Sequence, residues 1–193
     1  GLALGAVGQR REALEHLVEG LQPEARDVGV ARLRAVQALQ AGDANPAAWS
    51  AEAGAILREH RELVRIERRD ASLRLLNQVD TPYRAPVFDR LGRDAGQGEL
   101  AQACATARRL NAAAFASSYF VPSMDGLGVE VMDMCMPLET AGQNGGYLVA
   151  TYSLHEVLNG PLLGPQTRGY ELAFTEGDGT RLARAGVPRG AGV

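Results

Sequence analysis

The sequence predicts an α/β fold of the α+β kind: a long N-terminal helix and further helices packed on a five-stranded antiparallel sheet. Three observations predict it. Apolar residues recur mostly three, four or seven apart over the first forty positions, apolar and charged residues alternate from residue 63, and three strand-like runs follow residue 113 with short turn-rich segments between them.

Leu4, Val7, Leu14, Leu17, Leu21, Val28, Leu33, Val36 and Leu39 form one apolar stripe, the mark of an amphipathic helix. Gly20 and Pro23 kink or split it, because proline removes a backbone donor. At 41–46, AGDANP stops that helix and starts another, with Asn45 as N-cap and Pro46 at the first helical position. The second helix runs through Trp49, Ala53, Ile56 and Leu57 to about His60. LVRIERRDASLRLLN then reads as two antiparallel strands around a polar RRD turn. In TPYRAPVFDRLG, Pro82 and Gly92 bracket a short helix, and GELAQACATARRL, 98–110, is another. AFASSYFVP, GVEVMDMCMPL and GGYLVATYSL form a three-stranded meander with SMDG and ETAGQN as its turns. HEVL starts a short helix, NGPLLGPQ breaks it, and YELAFTEGDGTRLA is a final hairpin turning at Asp178 and Gly179. Aligned on Asp70 and Asp178, the first and last hairpins share the order strand, acidic turn, strand, about one small domain apart.

These elements divide into a helical stalk with packing helices (1–62), a core (63–164) and the start of a second, truncated unit (165–193). A 193-residue chain that is 46% hydrophobic builds an ordinary globular core. With net charge −3 it lacks the basic footprint that nucleic acid demands, so no nucleic-acid partner is expected. All 20 basic residues are arginine, scattered over every kind of element, which points to no partner. No run approaches the roughly 18 apolar residues of a spanning helix.

VEVMDMCMPL, 129–138, places Met132, Met134 and Met136 on one strand face and Val131, Asp133 and Cys135 on the other. Thioethers suit Cu(I), and Met124 would add a fourth sulfur, but alternate side chains stand about 7 Å apart, too wide for one ion. The stripe reads as core facing the long helix, with methionine filling irregular gaps. No metal and no cofactor is expected. In simple register, Asp133 shares its face with Ser117 and Tyr119 on one neighbour and Tyr147, Thr151 and Ser153 on the other. Such hydroxyls and phenols on a concave sheet can orient a small ligand; a solvent-facing surface is the alternative, and a one-residue slip would exchange the faces.

Cys104 and Cys135 can form a disulfide if the helix carrying the first crosses the strand carrying the second, in an oxidising compartment; two unpaired core cysteines are the alternative. Catalytic residues are not expected. His16, His60 and His155 lie on separate predicted helices, no nucleophile elbow, zinc-protease or P-loop motif occurs, and Glu130 and Asp133 face opposite ways. Arg108 and Arg109 close a helix, where they meet its dipole favourably.

The element order, with TPYRAPVF after the first hairpin and GGYLVATYSLHEVL at the last core strand, resembles the extracytoplasmic Cache-type (PDC, PAS-like) sensor region of bacterial membrane sensor histidine kinases, similar to those that detect dicarboxylates. The resemblance implies a PAS-like sheet cupping a small anionic metabolite, a carboxylate or amino acid. It implies that Arg84, with Tyr83 beside it, grips the ligand carboxylate, an ion pair with Asp80 or Asp89 being the plain alternative. It further implies a homodimer through the N-terminal helix, a periplasmic location on an inner-membrane protein, attachment through flanking segments, and kinase activity outside this chain. A chemoreceptor, a cyclic-dinucleotide enzyme or a ligand-free dimerisation module could carry the same domain.

Overall fold

The computed structural model describes residues 45–88, 93–123 and 126–160, together with the backbone of two later strands. The long helix, Met124, the segment 161–171 and the Asp178–Gly179 turn lie outside the described residues.

Helix α1, Pro46–Glu59, begins as expected: the Asn45 side chain accepts from the Ala47 amide at 2.9 Å and Pro46 occupies the first turn. It buries Trp49, Ala53, Ile56 and Leu57. Strands β1, Leu63–Arg69, and β2, Leu75–Asp80, pair antiparallel. The turn between them is set by Asp70, whose carboxylate accepts from the Ser72 and Arg74 amides at 2.9 Å each. It lies one residue later than the RRD reading, so Arg69 belongs to β1.

No helix forms over the described part of TPYRAPVFDRLG, which runs through turns and bends from Thr81 to Phe88. Two prolines four residues apart account for this, since Pro86 has no amide to donate and pushes Ala85 away from helical geometry. A 3-10 turn, Asp94–Gly96, leads into helix α2, Gln97–Leu110, which ends at Asn111 in the left-handed region. Strands β3 (Ala114–Phe115), β4 (Tyr119–Val121), β5 (Val129–Thr140) and β6 (Gln143–Ser153) follow, then the short helix α3, Leu154–Asn159, capped by Ser153. Strands β7, Leu172–Thr175, and β8, Arg181–Ala185, pair as a separate two-stranded sheet.

The main sheet has six strands rather than five, in the order β2-β1-β6-β5-β3, with β4 also on the outer edge of β5. AFASSYFVP makes two strands because its register slips. Ala114 lies opposite Cys135 and the Ala116 amide bonds to the Asp133 carbonyl, yet Tyr119 lies opposite Val131. One extra residue on the outer strand is absorbed at Ser117 and Ser118.

On one face, Met134, Met136, Leu138, Ile66, Leu148 and Ala150 pack under α1. The methionine stripe is therefore core, and the helix described over it is α1. On the other face, Leu100, Ala103, Cys104 and Ala107 of α2 cover Cys135, Tyr147 and Val149. Cys104 and Cys135 are bonded, with their Cα atoms 5.1 Å apart. Gly146 sits beside the β5–β6 bulge with φ +98°, where a Cβ would meet the Arg69 carbonyl at 2.2 Å, so only glycine fits.

Candidate functional site

The face opposite α1 carries a row of side chains running across four strands: Asp80 on β2, Arg65 on β1, Thr151 on β6 and Asp133 on β5 stand opposite one another in sequence. Two residues along β1, Glu67 lies opposite Gln78 and Val149; two further, Arg69 lies opposite Tyr147. Because β1 is paired on both sides, its alternating charges at 65, 67 and 69 sit in the body of the sheet, and all three are buried.

Arg93, just before the 3-10 turn, enters this face from outside the sheet. Its Nε donates to Glu67 Oε1 at 2.9 Å, and its two Nη atoms donate to the two oxygens of Asp133 at 2.7 and 2.8 Å. The same guanidinium reaches Thr151 Oγ1 at 3.3 Å and the Tyr119 hydroxyl. Thr151 and Tyr119 in turn donate to Asp133 at 2.6 and 2.8 Å. Arg69 Nε donates to the other Glu67 oxygen at 2.7 Å, and Arg65 grips Asp80 through Nε and Nη2 at 2.7 and 3.1 Å. The Phe88 ring lies against two of these cations, 4.9 Å from Arg65 and 4.6 Å from Arg93. Arg65, Arg69 and Arg93 thus balance Glu67, Asp80 and Asp133 in charge, which makes burial of the five besides the partly exposed Asp80 tolerable.

Burial pushes the Glu67 carboxyl up, but the Arg93 and Arg69 guanidiniums overcome this and hold it below its ordinary 4.5. A carboxyl that is more acidic when folded adds stability in full above about pH 4.5, lost as the pH falls through the depressed folded value. Acid unfolding should therefore steepen below pH 4.5 in the wild type, whereas Glu67→Gln, less stable at pH 7, should show a flatter profile there. Equal slopes in a chemical-denaturation series at pH 3 to 6 would remove Glu67 from the acid response. Burial draws the Arg93 guanidinium down, yet Asp133 and Glu67 raise it above its ordinary value, so it stays charged. Burial and then Asp133 push the Tyr119 phenol far up, keeping it a donor.

A cavity of about 300 Å³ opens beside this cluster, lined by Arg65, Leu75, Gln78, Asp80, Pro86, Phe88 and Arg93. Of the residues picked out from the sequence, Tyr119, Asp133 and Thr151 meet in the cluster. Tyr147 shares the face but lies beneath α2, its ring 5.2 Å from the Arg108 guanidinium. Ser117 is exposed, carried off the face by the extra residue at the β3–β4 junction. Tyr83 is half exposed and donates to the Arg58 carbonyl on α1 at 2.7 Å. Arg84 pairs with Glu156 on α3 at 3.6 Å rather than with Asp80, and does not line the cavity. The sequence reading assigns no role to Arg65, Glu67, Arg69 or Arg93, and to Asp80 only that of a partner for Arg84; the visible signal is Arg, Glu, Arg at two-residue spacing in a strand flanked by two others. Among the described residues no group of His, Cys, Asp and Glu is arranged to hold a metal, and no helix is long and apolar enough to cross a membrane.

No family model and no curated protein matches the chain. Solved structures do. The sensory domain of the Campylobacter jejuni chemoreceptor Tlp3, solved with isoleucine, aligns with a TM-score of 0.55 at 11% identity, covering 91% of this chain and 69% of its own. The ligand-binding domain of the Pseudomonas fluorescens chemoreceptor CtaA, solved with L-serine, aligns at 0.51 with 17% identity, covering 88% and 67%. The extracellular domain of vpHK1S-Z8, named as a histidine kinase, aligns at 0.52 with 12% identity, covering 83% and 63%. The fold is thus shared with these sensory, ligand-binding and extracellular domains.

Proposed function

We propose that the chain is the extracytoplasmic ligand-sensing domain of a bacterial membrane receptor, and that its ligand is a small zwitterionic amino acid. The fold supports the sensor reading, and the Cys104–Cys135 bond supports an oxidising compartment such as the periplasm. Two receptor classes share the fold, so the output, a histidine kinase or a chemoreceptor, is a property of other segments. Dimerisation through the N-terminal helix and a second unit beginning near residue 165 belong to the same proposal.

The observation that carries the ligand class is the Arg65–Asp80 pair in the cavity wall. A zwitterion can exchange that one pair for two, its carboxylate on Arg65 and its ammonium on Asp80, and leave the balanced cluster neutral. A dicarboxylate would bring two charges that nothing buried there offsets, which narrows the carboxylate expectation to amino acids. The volume suits a small ligand, at the lower end of the roughly 300–1,000 Å³ usual for such sites. Once bound, it acts only by preferring one arrangement of the Phe88 segment over another.

Calorimetric titration with L-valine, L-serine and succinate tests this. Amino-acid binding is expected in the wild type and in Arg84→Ala, with at least a tenfold loss in Arg65→Ala, the usual scale for a charged partner removed. Binding that survives Arg65→Ala, or no amino-acid binding at all, would sink it. One observation favours the ligand-free module as a second reading: the space beside Asp133 and Tyr119 is filled by Arg93. That reading predicts no response to any small molecule.

A further inference from the structure

The acceptors around Arg93 are all supplied by the sheet: Glu67 by β1, Tyr119 by β4, Asp133 by β5 and Thr151 by β6. They are oriented by contacts that do not involve Arg93. Arg69 fixes one Glu67 oxygen, and the Thr151 and Tyr119 hydroxyls each donate to Asp133. Two carboxylates aligned to take a bidentate fork and its Nε, two hydroxyls and an aromatic face are what recognition of a planar guanidinium requires. The guanidinium itself comes from off the sheet, next to the 3-10 turn.

We propose that Glu67, Tyr119, Asp133 and Thr151 form a guanidinium-binding site that the chain's own Arg93 occupies, and that Arg93 thereby sets ligand specificity in the adjoining cavity. Its biological sense rests on the ligand reading above. With Arg93 in place the inner chamber is neutral and closed to cations, and only a net-neutral molecule is admitted beside it. Without Arg93 the same walls become an anionic receptor for guanidines such as methylguanidinium or agmatine.

Thermal unfolding of Arg93→Ala, titrated with methylguanidinium chloride against sodium chloride of equal ionic strength, tests the assignment. The variant's Tm should rise saturably, by about 5 °C at a large excess over the dissociation constant, while the wild type's is unchanged or falls, guanidinium salts being denaturants. Should Arg93→Ala be unfolded alone, methylguanidinium should restore its native circular dichroism. The Arg93→Ala/Glu67→Gln pair, with one fewer carboxylate facing the vacated site, should show the same rise at higher concentration. Methylguanidinium that only destabilises these variants, as it does the wild type, overturns the proposal. The outcome is independent of the amino-acid titrations on the wild type, which decide the cavity reading by themselves.

Discussion

Asp133→Ala is expected to lower the unfolding free energy by about 3–5 kcal/mol, the usual cost of breaking a buried ion pair by removing one partner. In a chain of this size that is a fall in Tm of roughly 8–15 °C. Asp133 is fully buried and accepts four close hydrogen bonds, two from Arg93 and one each from Tyr119 and Thr151. Alanine removes the carboxylate that all these donors share and leaves Arg93 with Glu67 as its one carboxylate partner, and Arg93 cannot escape by shedding its proton, since the guanidinium stays charged at any pH a folded protein meets. Asp133→Asn keeps the shape but turns an amide toward the guanidinium, so its loss should approach that of alanine. The double variant with Arg93→Ala should cost less than the two single losses added, because each single change already breaks the shared contact. Urea unfolding with an unchanged m value measures all three. A loss under about 1 kcal/mol for Asp133→Ala, the size of an exposed pair, would mean the cluster is far wetter than its burial implies.

Asp133, Tyr119 and Thr151 were legible as partners because side-chain parity along paired strands depends only on counting residues. Counting failed at Ser117, where one extra residue sits between β3 and β4 and nothing in AFASSYF marks it: either serine accepts the bulge. Tyr147 was placed on the correct face, but parity does not say what covers the face, and α2 covers that end. Arg65, Glu67 and Arg69 alternate as plainly as Met132, Met134 and Met136, yet alternation names the residues that share a side without saying whether that side is wet. The deciding fact is the crossover that puts β1 between β2 and β6, a long-range pairing that local pattern does not contain. Arg84 is pointed to by the resemblance alone, and the turn after β2 aims it at α3 instead. Arg93 had no local signal at all. The helix start at Asn45–Pro46 and the tight turn at Ala141–Gly142 are readable, because capping and positive-φ turns depend on residues a few positions apart, whereas Pro82, with Pro86 four residues on, misleads.

The second large effect is expected from opening the Cys104–Cys135 bond. The two cysteines are 31 residues apart, and closing a loop of that size in the unfolded chain is worth about 3–4 kcal/mol in the chain-entropy account. Apart from the bond, helix α2 is held at its C-terminal end by Arg108, which donates to the Leu138 and Gly146 carbonyls at 3.0 and 3.1 Å, and along its length by apolar packing. Its buried face is Leu100, Ala103, Cys104 and Ala107, one large side chain among small ones, so the apolar area it hides is modest. Cys104→Ala/Cys135→Ala should therefore fall in stability by about that amount, and the serine pair by more, since two hydroxyls would be buried at a contact made by sulfur. The loss should also be local. With the bond reduced, the α2 amides should exchange hydrogen well before those of β5 and β6, which keep their ladder. Because α2 begins directly after the 3-10 turn that follows Arg93, loosening it should also loosen the guanidinium from Asp133. Reduced protein should then show faster exchange at the Arg93 turn and a weaker response of stability to acid through Glu67. Hydrogen exchange of reduced and oxidised protein, followed by mass spectrometry, separates the possibilities. If α2 stays protected as long as the sheet once the bond is open, the helix is held by packing and Arg108 alone and the bond has no part in positioning Arg93.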